Sequence, residues 1–511
     1  MNGKQLKNSI LQWAIQGKLV PQDPNDEPAS VLLERIREEK ARLVKEKKIK
    51  KDKNESIIYR GEDNSYYEKF LATGEVKCID DEIPFEIPQG WEWCRLRNII
   101  KGTNAGKSPN CEKRPKNNEE WGVLTTTAIQ ENGFLPSENK VLPQNYKINL
   151  EHSVKYGDIL ITRAGPINRT GIVCMVDKEC DKLILSDKTV RIDYMSNYCN
   201  PAFIVFVLNC PAIHELLMRV TVGMAASQVN ISQENIQNAL IPFPSINEQN
   251  RIVEKITNLN PMITKYDFEQ QQLEELNIYL TTQIKKSILQ EAIQGKLVPQ
   301  IAEEGTAQEL IEQIRQEKQK LVKEGKLKKS ALTDSIIYKG DDNKYYEQIN
   351  GQAVQIECDY DFPYSWSLVR LSSICSLIDG EKKEGQQLCL DAKFLRGKSA
   401  GEYQQRGKFV HKGDNIILVD GENSGEVFTV PCDGYMGSTF KQLWVSSIMH
   451  LPYVLNYILF YKELLRKSKR GAAIPHLNKE IFYSLIIGIP PYQEQMRIVN
   501  RINEIYSKIK G

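Results

Sequence analysis

Long apolar runs are missing from this chain of 511 residues. Nothing in it approaches the ~20 consecutive apolar residues that a membrane-spanning helix requires. The longest candidate, Leu485-Ile-Ile-Gly-Ile-Pro-Pro491, has the length of a strand. The opening, Met1-Asn-Gly-Lys-Gln-Leu-Lys, leads into an amphipathic helix rather than an apolar core with a cleavage site, so no secretion signal and a cytoplasmic location are expected. Paired cysteines are missing too. The eleven Cys stand singly without a Cys-x-x-Cys, which argues against a zinc ribbon or a dithiol redox motif and leaves them as mostly buried thiols. The five histidines, His152, His214, His411, His450 and His476, never fall at metal-ligand spacing, so no metal site is expected. An excess of either charge is also absent: 68 Lys and Arg against 66 Asp and Glu leave +2. That balance neither favours nor disfavours a polyanionic partner, and the distribution of charge has to decide.

What the chain does have is a repeat. Ser9-Ile-Leu-Gln-Trp-Ala-Ile-Gln-Gly-Lys-Leu-Val-Pro-Gln22 returns as Ser287-Ile-Leu-Gln-Glu-Ala-Ile-Gln-Gly-Lys-Leu-Val-Pro-Gln300. The same offset carries Leu32, Leu33, Ile36, Leu43 and Val44 onto Leu310, Ile311, Ile314, Leu321 and Val322, an apolar stripe at helical spacing. Ser56-Ile-Ile-Tyr-Arg-Gly-Glu-Asp-Asn-Ser-Tyr-Tyr-Glu68 is matched by Ser335-Ile-Ile-Tyr-Lys-Gly-Asp-Asp-Asn-Lys-Tyr-Tyr-Glu347, each with a turn signal and each read as a linker. A third pair, Ile241-Pro-Phe-Pro-Ser-Ile-Asn-Glu-Gln-Asn-Arg-Ile-Val253 and Gly488-Ile-Pro-Pro-Tyr-Gln-Glu-Gln-Met-Arg-Ile-Val499, ends a strand on proline and opens a helix. Between Trp91 and Arg251, and between Trp366 and Arg497, the interiors share almost nothing.

At the centre, Ile252, Leu259, Tyr266, Leu273 and Leu280 recur every seven residues, with Ile256, Ile263 and Ile284 between them, which is a coiled-coil seam. Pro261 lies inside it and is expected to kink it. The chain stops soon after its second Arg-Ile-Val, before the heptads recur, while residues 4–50 supply the missing half of that arm. The expected architecture is therefore α+β: two mixed α/β modules separated by long antiparallel coiled-coil arms in a pseudo-twofold circular arrangement. Its segments are a helical half-arm over 1–55, a linker over 56–87, module 1 over 88–245, the central arm over 246–330, a linker over 331–362, module 2 over 363–490 and a closing helix over 491–511. Leu32, Ile36, Leu43, Ile252, Leu259, Tyr266, Leu273 and Leu280 are apolar positions of these helical arms.

Enzymatic motifs come close and fail. Ala392-Lys-Phe-Leu-Arg-Gly-Lys-Ser399 fits the loose phosphate-loop pattern and Gly102-Thr-Asn-Ala-Gly-Lys-Ser108 misses it by one residue, but neither sits between an apolar strand and a helix. Ile489-Pro-Pro-Tyr492 resembles the Asn/Asp-Pro-Pro-Tyr box of amino-methylating DNA methyltransferases, yet Ile489 cannot hold a target amine. No Gly-x-Gly methyl-donor loop and no credible nuclease cluster occurs. Inside the modules, glycine-flanked polar loops alternate with short apolar strands. Glycine admits a close backbone, Lys and Arg meet phosphate, and Thr, Asn and Arg reach base edges. The DNA-binding candidates in module 1 are Lys107, Ser108, Lys113, Arg114, Lys116, Thr125, Thr126, Arg163, Asn168, Arg169, Lys188, Ser227 and Gln228. Those in module 2 are Lys382, Lys383, Lys398, Asn423, Ser424, Ser438, Thr439, Lys441, Arg470 and His476. A charged loop is commonly no more than solvated; two divergent polar modules on one duplicated frame suggest a bipartite, asymmetric target.

The order Gln-Gly-Lys-Leu-Val-Pro, divergent module, Pro-x-Glu-Gln-x-Arg-Ile-Val and heptad helix, met twice along essentially the whole chain, resembles the specificity subunits of type I restriction-modification enzymes. That resemblance implies two target-recognition domains reading the halves of a split double-stranded DNA site. It implies no catalysis and no cofactor in this chain, two methyltransferase subunits carrying S-adenosylmethionine chemistry and docked on the helical arms, with Leu32, Ile36, Leu43, Ile252, Leu259, Tyr266, Leu273 and Leu280 as the partner-binding positions, and restriction-translocase subunits using ATP and Mg. The rival readings are a single-chain DNA methyltransferase or nuclease, or a non-catalytic coiled-coil adaptor.

Overall fold

The computed structural model describes all residues except 226, 333–334, 350, 469–475 and 510–511, and it divides into two units, Met1–Leu273 and Glu274–Gly511. The division falls inside the segment expected as one central arm, so each unit owns a leading helical stretch, a β-rich module and an exit helix.

In the first unit, α1 (Gly3–Ile15) starts from Asn2, whose side chain accepts from the Gln5 N–H while Gln5 reaches back to Asn2 in a capping box. It stops where Gly17 takes a φ of +66°; a Cβ there would meet the Pro88 ring. Helix α2 (Ala29–Lys45) buries Leu32, Ile36 and Leu43 at helical spacing. Strands β1 (Ser56–Arg60), β2 (Tyr66–Phe70) and β3 (Val76–Cys78) form an antiparallel sheet. β4 (Glu92–Arg95) then pairs with the last strand of the module. The module is built on β5 (Ile100–Ala105), β6 (Ile159–Thr162), β7 (Val173–Met175) and β8 (Thr189–Tyr194), in the antiparallel order β7-β6-β8-β5. Ile159 and Ile161 pack into one core with Val190, Ile192 and Phe203, whereas Leu160 faces a second with Cys174 and Phe134. The period-2 alternation of a strand thus divides an unbroken apolar run between two cores. Helices α3 (Pro201–Asn209) and α4 (Pro211–Arg219) cover the first face, and β9 (Leu240–Phe243) leads into α5 (Ile246–Ile293).

The second unit repeats the plan. Helix α6 (Gln308–Lys323) is followed by β10 (Ser335–Lys339), β11 (Tyr345–Ile349), β12 (Gln352–Ile356) and β13 (Ser367–Arg370). The module strands are β14 (Cys375–Ile378), β15 (Glu381–Leu390), β16 (Tyr403–Val410), β17 (Asn415–Leu418), β18 (Val427–Thr429), β19 (Gly434–Met436) and β20 (Phe440–Val445). Helix α7 (Leu451–Phe460), strand β21 (Ile486–Ile489) and exit helix α8 (Tyr492–Ile509) complete the unit. The four-stranded sheet runs β14-β20-β17-β18, the counterpart of β5-β8-β6-β7, with Ile417 in one core and Ile416 and Leu418 in the other. Modules that share almost no sequence therefore share one sheet.

The repeated motifs hold this frame. The Glu248 carboxylate accepts from Trp91 Nε1 at 2.9 Å and from Gln22; Glu494 accepts from Trp366 Nε1 at 3.0 Å and from Gln300 at 3.1 Å. Burial pushes both carboxyls up from their ordinary range. Gln249 and Gln495 donate to the carbonyls of Pro244 and Pro490, each at 3.0 Å, and accept from the N–H of Asn200 and His450. Arg251 pairs with Asp26 at 2.6 Å and Arg497 with Glu304 at 2.7 Å. The Glu and Arg of the Glu-Gln-x-Arg-Ile motif thus fasten each exit helix to the leading segment of its own unit, and the Gln ties it to the module.

Two expectations need correction. The segments read as linkers, 56–87 and 331–362, carry folded antiparallel strands, β1–β3 and β10–β12. Ile58 and Tyr66 are buried, and Arg95 and Arg370 reach into the hairpins to pair with Glu68 at 2.6 Å and Glu347 at 2.5 Å. In the second unit β10 pairs with β13, so the hairpin belongs to a five-stranded sheet with β13 and β21. The heptad seam, moreover, is only partly covered. Ile252, Ile256 and Ile263 are buried, but Leu273 and Leu280 are 51% and 46% exposed. The physical reason is reach. Helix α1 meets α5 through Gly3 and Asp267, and α8 meets it through Tyr506 and the Lys285 carbonyl. Residues 271–280 are exposed throughout.

Candidate nucleic-acid interface

At one edge of the module 1 sheet, β5 and β6 end and β7 and β8 begin. Gly106 donates its N–H to the Ser186 carbonyl, a close approach in which a Cβ would strike Leu185. Ser108 is hydrogen-bonded to the Asp187 carboxylate, and the Asp187 N–H returns to the Ser108 hydroxyl at 3.3 Å. The Arg163 N–H donates to Lys188 at 2.9 Å, and its carbonyl accepts from Ile231 at 2.7 Å. Lys107, Ser108, Arg163 and Lys188 are therefore brought together. The Val222–Ala225 and Gln228–Asn230 hairpin joins them by pairing with Ala164–Gly165, which places the exposed Ser227 and Gln228 alongside. Among the described residues the Arg163 side chain forms no ion pair, and its buried Nε has no partner. Such a guanidinium retains unused donors for a ligand.

The same edge of module 2 carries different side chains. The Val419 N–H donates to the Thr439 carbonyl at 2.9 Å, and Leu477 donates to Val419 at 2.7 Å, as Ile231 does to Arg163. Asp420 bridges to His476, with Oδ1 and Nδ1 2.6 Å apart, where module 1 has Ala164 opposite Asn230. Ser438, Thr439, Asn423 and His476 are thus gathered, with Ser438 and His476 exposed.

Several candidates are otherwise employed. Arg114 is paired with Glu120 at 2.7 Å and with Glu112 at 3.0 Å, and Glu120 in turn falls to about 2 through the Arg114 hydrogen bond. Arg169 spends its terminal nitrogens on Gln130 and on the carbonyls of Thr126 and Ile129. Thr125 donates to the Glu138 carbonyl. Ser424 is 0% exposed, so it cannot touch a ligand. Lys441 is bound to Asp379 together with Lys408, and the two ammonium groups hold that carboxyl far below its usual range. Lys383 lies 4.2 Å from the Phe409 ring centroid and pairs with Glu381. Asn168, Lys113, Lys382 and Lys398 are exposed. Lys116 is displaced from the edge; it lines a cleft of about 1180 Å³ with Lys155, Tyr156 and Lys182, near the opposite end of β6. Arg470 lies outside the described residues.

Of the apolar positions expected to face partners, Leu32, Ile36 and Ile252 are fully buried in the core of the first unit, and Leu43 is 9% exposed. They pack their own module, which their periodicity alone could not distinguish from an outward face. Leu259 and Tyr266 are half-buried; Leu273 and Leu280 remain open. Six of the eleven cysteines are buried, and all are free thiols. Among the described residues no three His, Cys, Asp or Glu side chains converge as a metal site, and no single helix is long and apolar enough to cross a membrane. The phosphate-loop lookalikes have the wrong context: Ala392–Leu395 is itself helical with no helix following, and 102–105 is strand.

The model of the type I restriction modification DNA specificity domain matches residues 88–277 and 363–510, which are the two modules with their exit helices. The type I restriction enzyme EcoEI specificity subunit of Escherichia coli is 40% identical over 285 residues, covering 56% of this chain and 45% of that protein. The chain thus matches less than half of that relative's length. The EcoAI specificity subunit of the same organism is 26% identical over 98% of this chain and 88% of its own. The crystal structure of an HsdS subunit from Thermoanaerobacter tengcongensis is 17% identical over 84% of this chain and 92% of that one, with a TM-score of 0.41. With both modules matched, and the matched segments spanning more than half of its length, the chain belongs to the type I restriction-modification DNA specificity family.

Proposed function

We propose that this chain is the DNA sequence-reading subunit of a type I restriction-modification enzyme, each module reading one half of a bipartite, asymmetric site. The observation that carries the reading is the pair of matching sheet edges. One presents Lys107, Arg163 and Lys188; the other presents Ser438, Thr439 and the Asp420–His476 pair. A common edge furnished differently on a duplicated frame is what two different half-sites require. The chain itself is catalytically silent. Methyltransferase subunits supply S-adenosylmethionine chemistry, and restriction-translocase subunits use ATP and Mg. The helical segments serve as docking arms for these subunits, pairing as antiparallel coiled coils in a pseudo-twofold arrangement. The exposed Leu273 and Leu280 are the heptad positions left available for a partner.

Exchange of Trp91 to Pro244 for the matching segment of a relative tests the reading. Methylation mapped in DNA from cells carrying the chimaera with its methyltransferase subunits is expected to change in one half of the motif while the other half persists. A change in both halves would mean that the modules read jointly, and methylation by the purified chain alone would overturn the assignment of the chemistry to partners.

A further inference from the structure

We propose that the two-stranded ribbon β15–β16 is the base-reading element of module 2, entering the major groove of its half-site with Arg406 and Gln404, which share its outward face, selecting bases. The proposal rests on the reading of the chain as a DNA specificity subunit and names the residues by which one module would exercise it.

The ribbon springs from the edge already described. Strand β14 ends at Ile378, Asp379 comes next, and Gly380 turns the chain with a φ of +75° into Glu381. Asp379 anchors the base of the ribbon by binding both Lys408 on β16 and Lys441 on β20. From there β15 and β16 pair over Glu381↔Phe409 to Leu388↔Tyr403, with a register shift between Glu384 and Gln387. Both strands also pair with β19, closing a small barrel. The fully buried Tyr435 fills it, donating its hydroxyl to the Gly385 carbonyl at 2.7 Å. Gly407 lies so close to that ring that a Cβ would stand 2.6 Å from it. The ribbon is thus held from inside, and its outer surface is a fixed platform, as recognition of base edges requires.

That surface is polar and unused. Lys382, Gln404 and Arg406 on that face are exposed, and none has a side-chain hydrogen bond or ion pair among the described residues. Glu384 stands opposite Arg406 in the register without forming an ion pair with it. The major groove of B-DNA admits a two-stranded ribbon; glutamine matches adenine N6 and N7 there, arginine matches guanine O6 and N7, and a carboxylate accepts from the cytosine amino group. In module 1 the equivalent insertion between β5 and β6 holds only strands of two or three residues, Gly122–Leu124 and Asn139–Val141 among them, so no such ribbon is present there. The difference gives the two modules different readers on the same sheet.

The test is to express Arg406→Ala, Arg406→Lys and Gln404→Ala variants with the methyltransferase subunits, then map the methylated motif. One half of the motif is expected to lose selectivity at one or more positions, with the other half and the spacing retained. Arg406→Lys, which keeps the charge, is expected to relax the same position as Arg406→Ala. If a variant methylates too little to map, binding of the assembled complex to duplexes substituted base by base replaces the mapping. Discrimination at the affected base is expected to fall roughly tenfold to a hundredfold. An unchanged motif, or an affinity loss equal on all sequences, would overturn the proposal. Failure of the wild-type complex to show any bipartite motif would instead count against the reading on which it rests.

Discussion

Lys318 carries its ammonium into the second unit, where it donates to the Ser372 carbonyl at 2.8 Å and burial pushes its pKa down to about 8. Lys40 does the same in the first unit, donating to Arg97 at 2.7 Å, with its pKa also lowered by burial. A lysine whose folded pKa lies below its unfolded value binds fewer protons when folded. Stability therefore rises with pH between about 8 and 10.5 and is flat below that window. From about pH 7.5 to 9.5 the wild-type chain should gain roughly 2 kcal/mol relative to Lys318→Met, which lacks the titration. Urea denaturation of both proteins across that range checks it; parallel curves would show that Lys318 is not neutralised on folding. At this scale the sequence was informative where residues repeat. Trp91 and Trp366, Glu248 and Glu494, and Arg251 and Arg497 all hold the frame. It was least informative for cations, because whether Arg169 faces a ligand or its own backbone depends on carbonyls about 40 residues distant.

Helix α5 runs through Pro261 without interruption and leaves that residue exposed. A proline inside a helix removes one hydrogen bond and crowds the preceding turn, at a cost of about 3 kcal/mol. Pro261→Ala should thus stabilise the chain by roughly 1–3 kcal/mol, less if the native helix has already relaxed around the ring. A raised denaturation midpoint with unchanged cooperativity checks this, and a lowered one would mean that neighbouring groups depend on the proline. The helices were legible because their stripes recur with the helical period, as in Leu32, Ile36 and Leu43. The hairpins at 56–70 and 335–349 were not, since their inward faces mix Ile58 and Tyr66, or Ile337 and Tyr345, with Ser and Glu and so give no clean apolar alternation. The partners of Glu68 and Glu347, Arg95 and Arg370, are supplied from elsewhere in the chain. The heptads announced a partner for α5 but could not say how far it reaches.

At the scale of the molecule, the duplicated frame was visible in sequence, while the common sheet was hidden by the divergence of the modules. A strand such as Ile159–Thr162 shares little with Asn415–Leu418 beyond apolarity, although both divide their side chains between two cores. If each module reads its own half-site, the helix that carries the chain from one to the other should govern the gap between the halves. Half-sites read from one face of B-DNA lie about 34 Å apart, centre to centre. Four residues inserted after Leu273, where the helix is exposed on all sides, would lengthen it by ~6 Å and turn its C-terminal half about 40° beyond a full turn. That length is close to two base pairs. The loops of both modules are untouched, so the two recognised half-sequences should persist while the unspecified gap grows by one or two base pairs. Should the added rotation not be absorbed, methylation is lost although the protein remains folded. Methylome sequencing of cells carrying the insertion variant with its partner subunits decides the matter. An active variant that keeps the original gap would show that the spacing is set by the partners rather than by this helix.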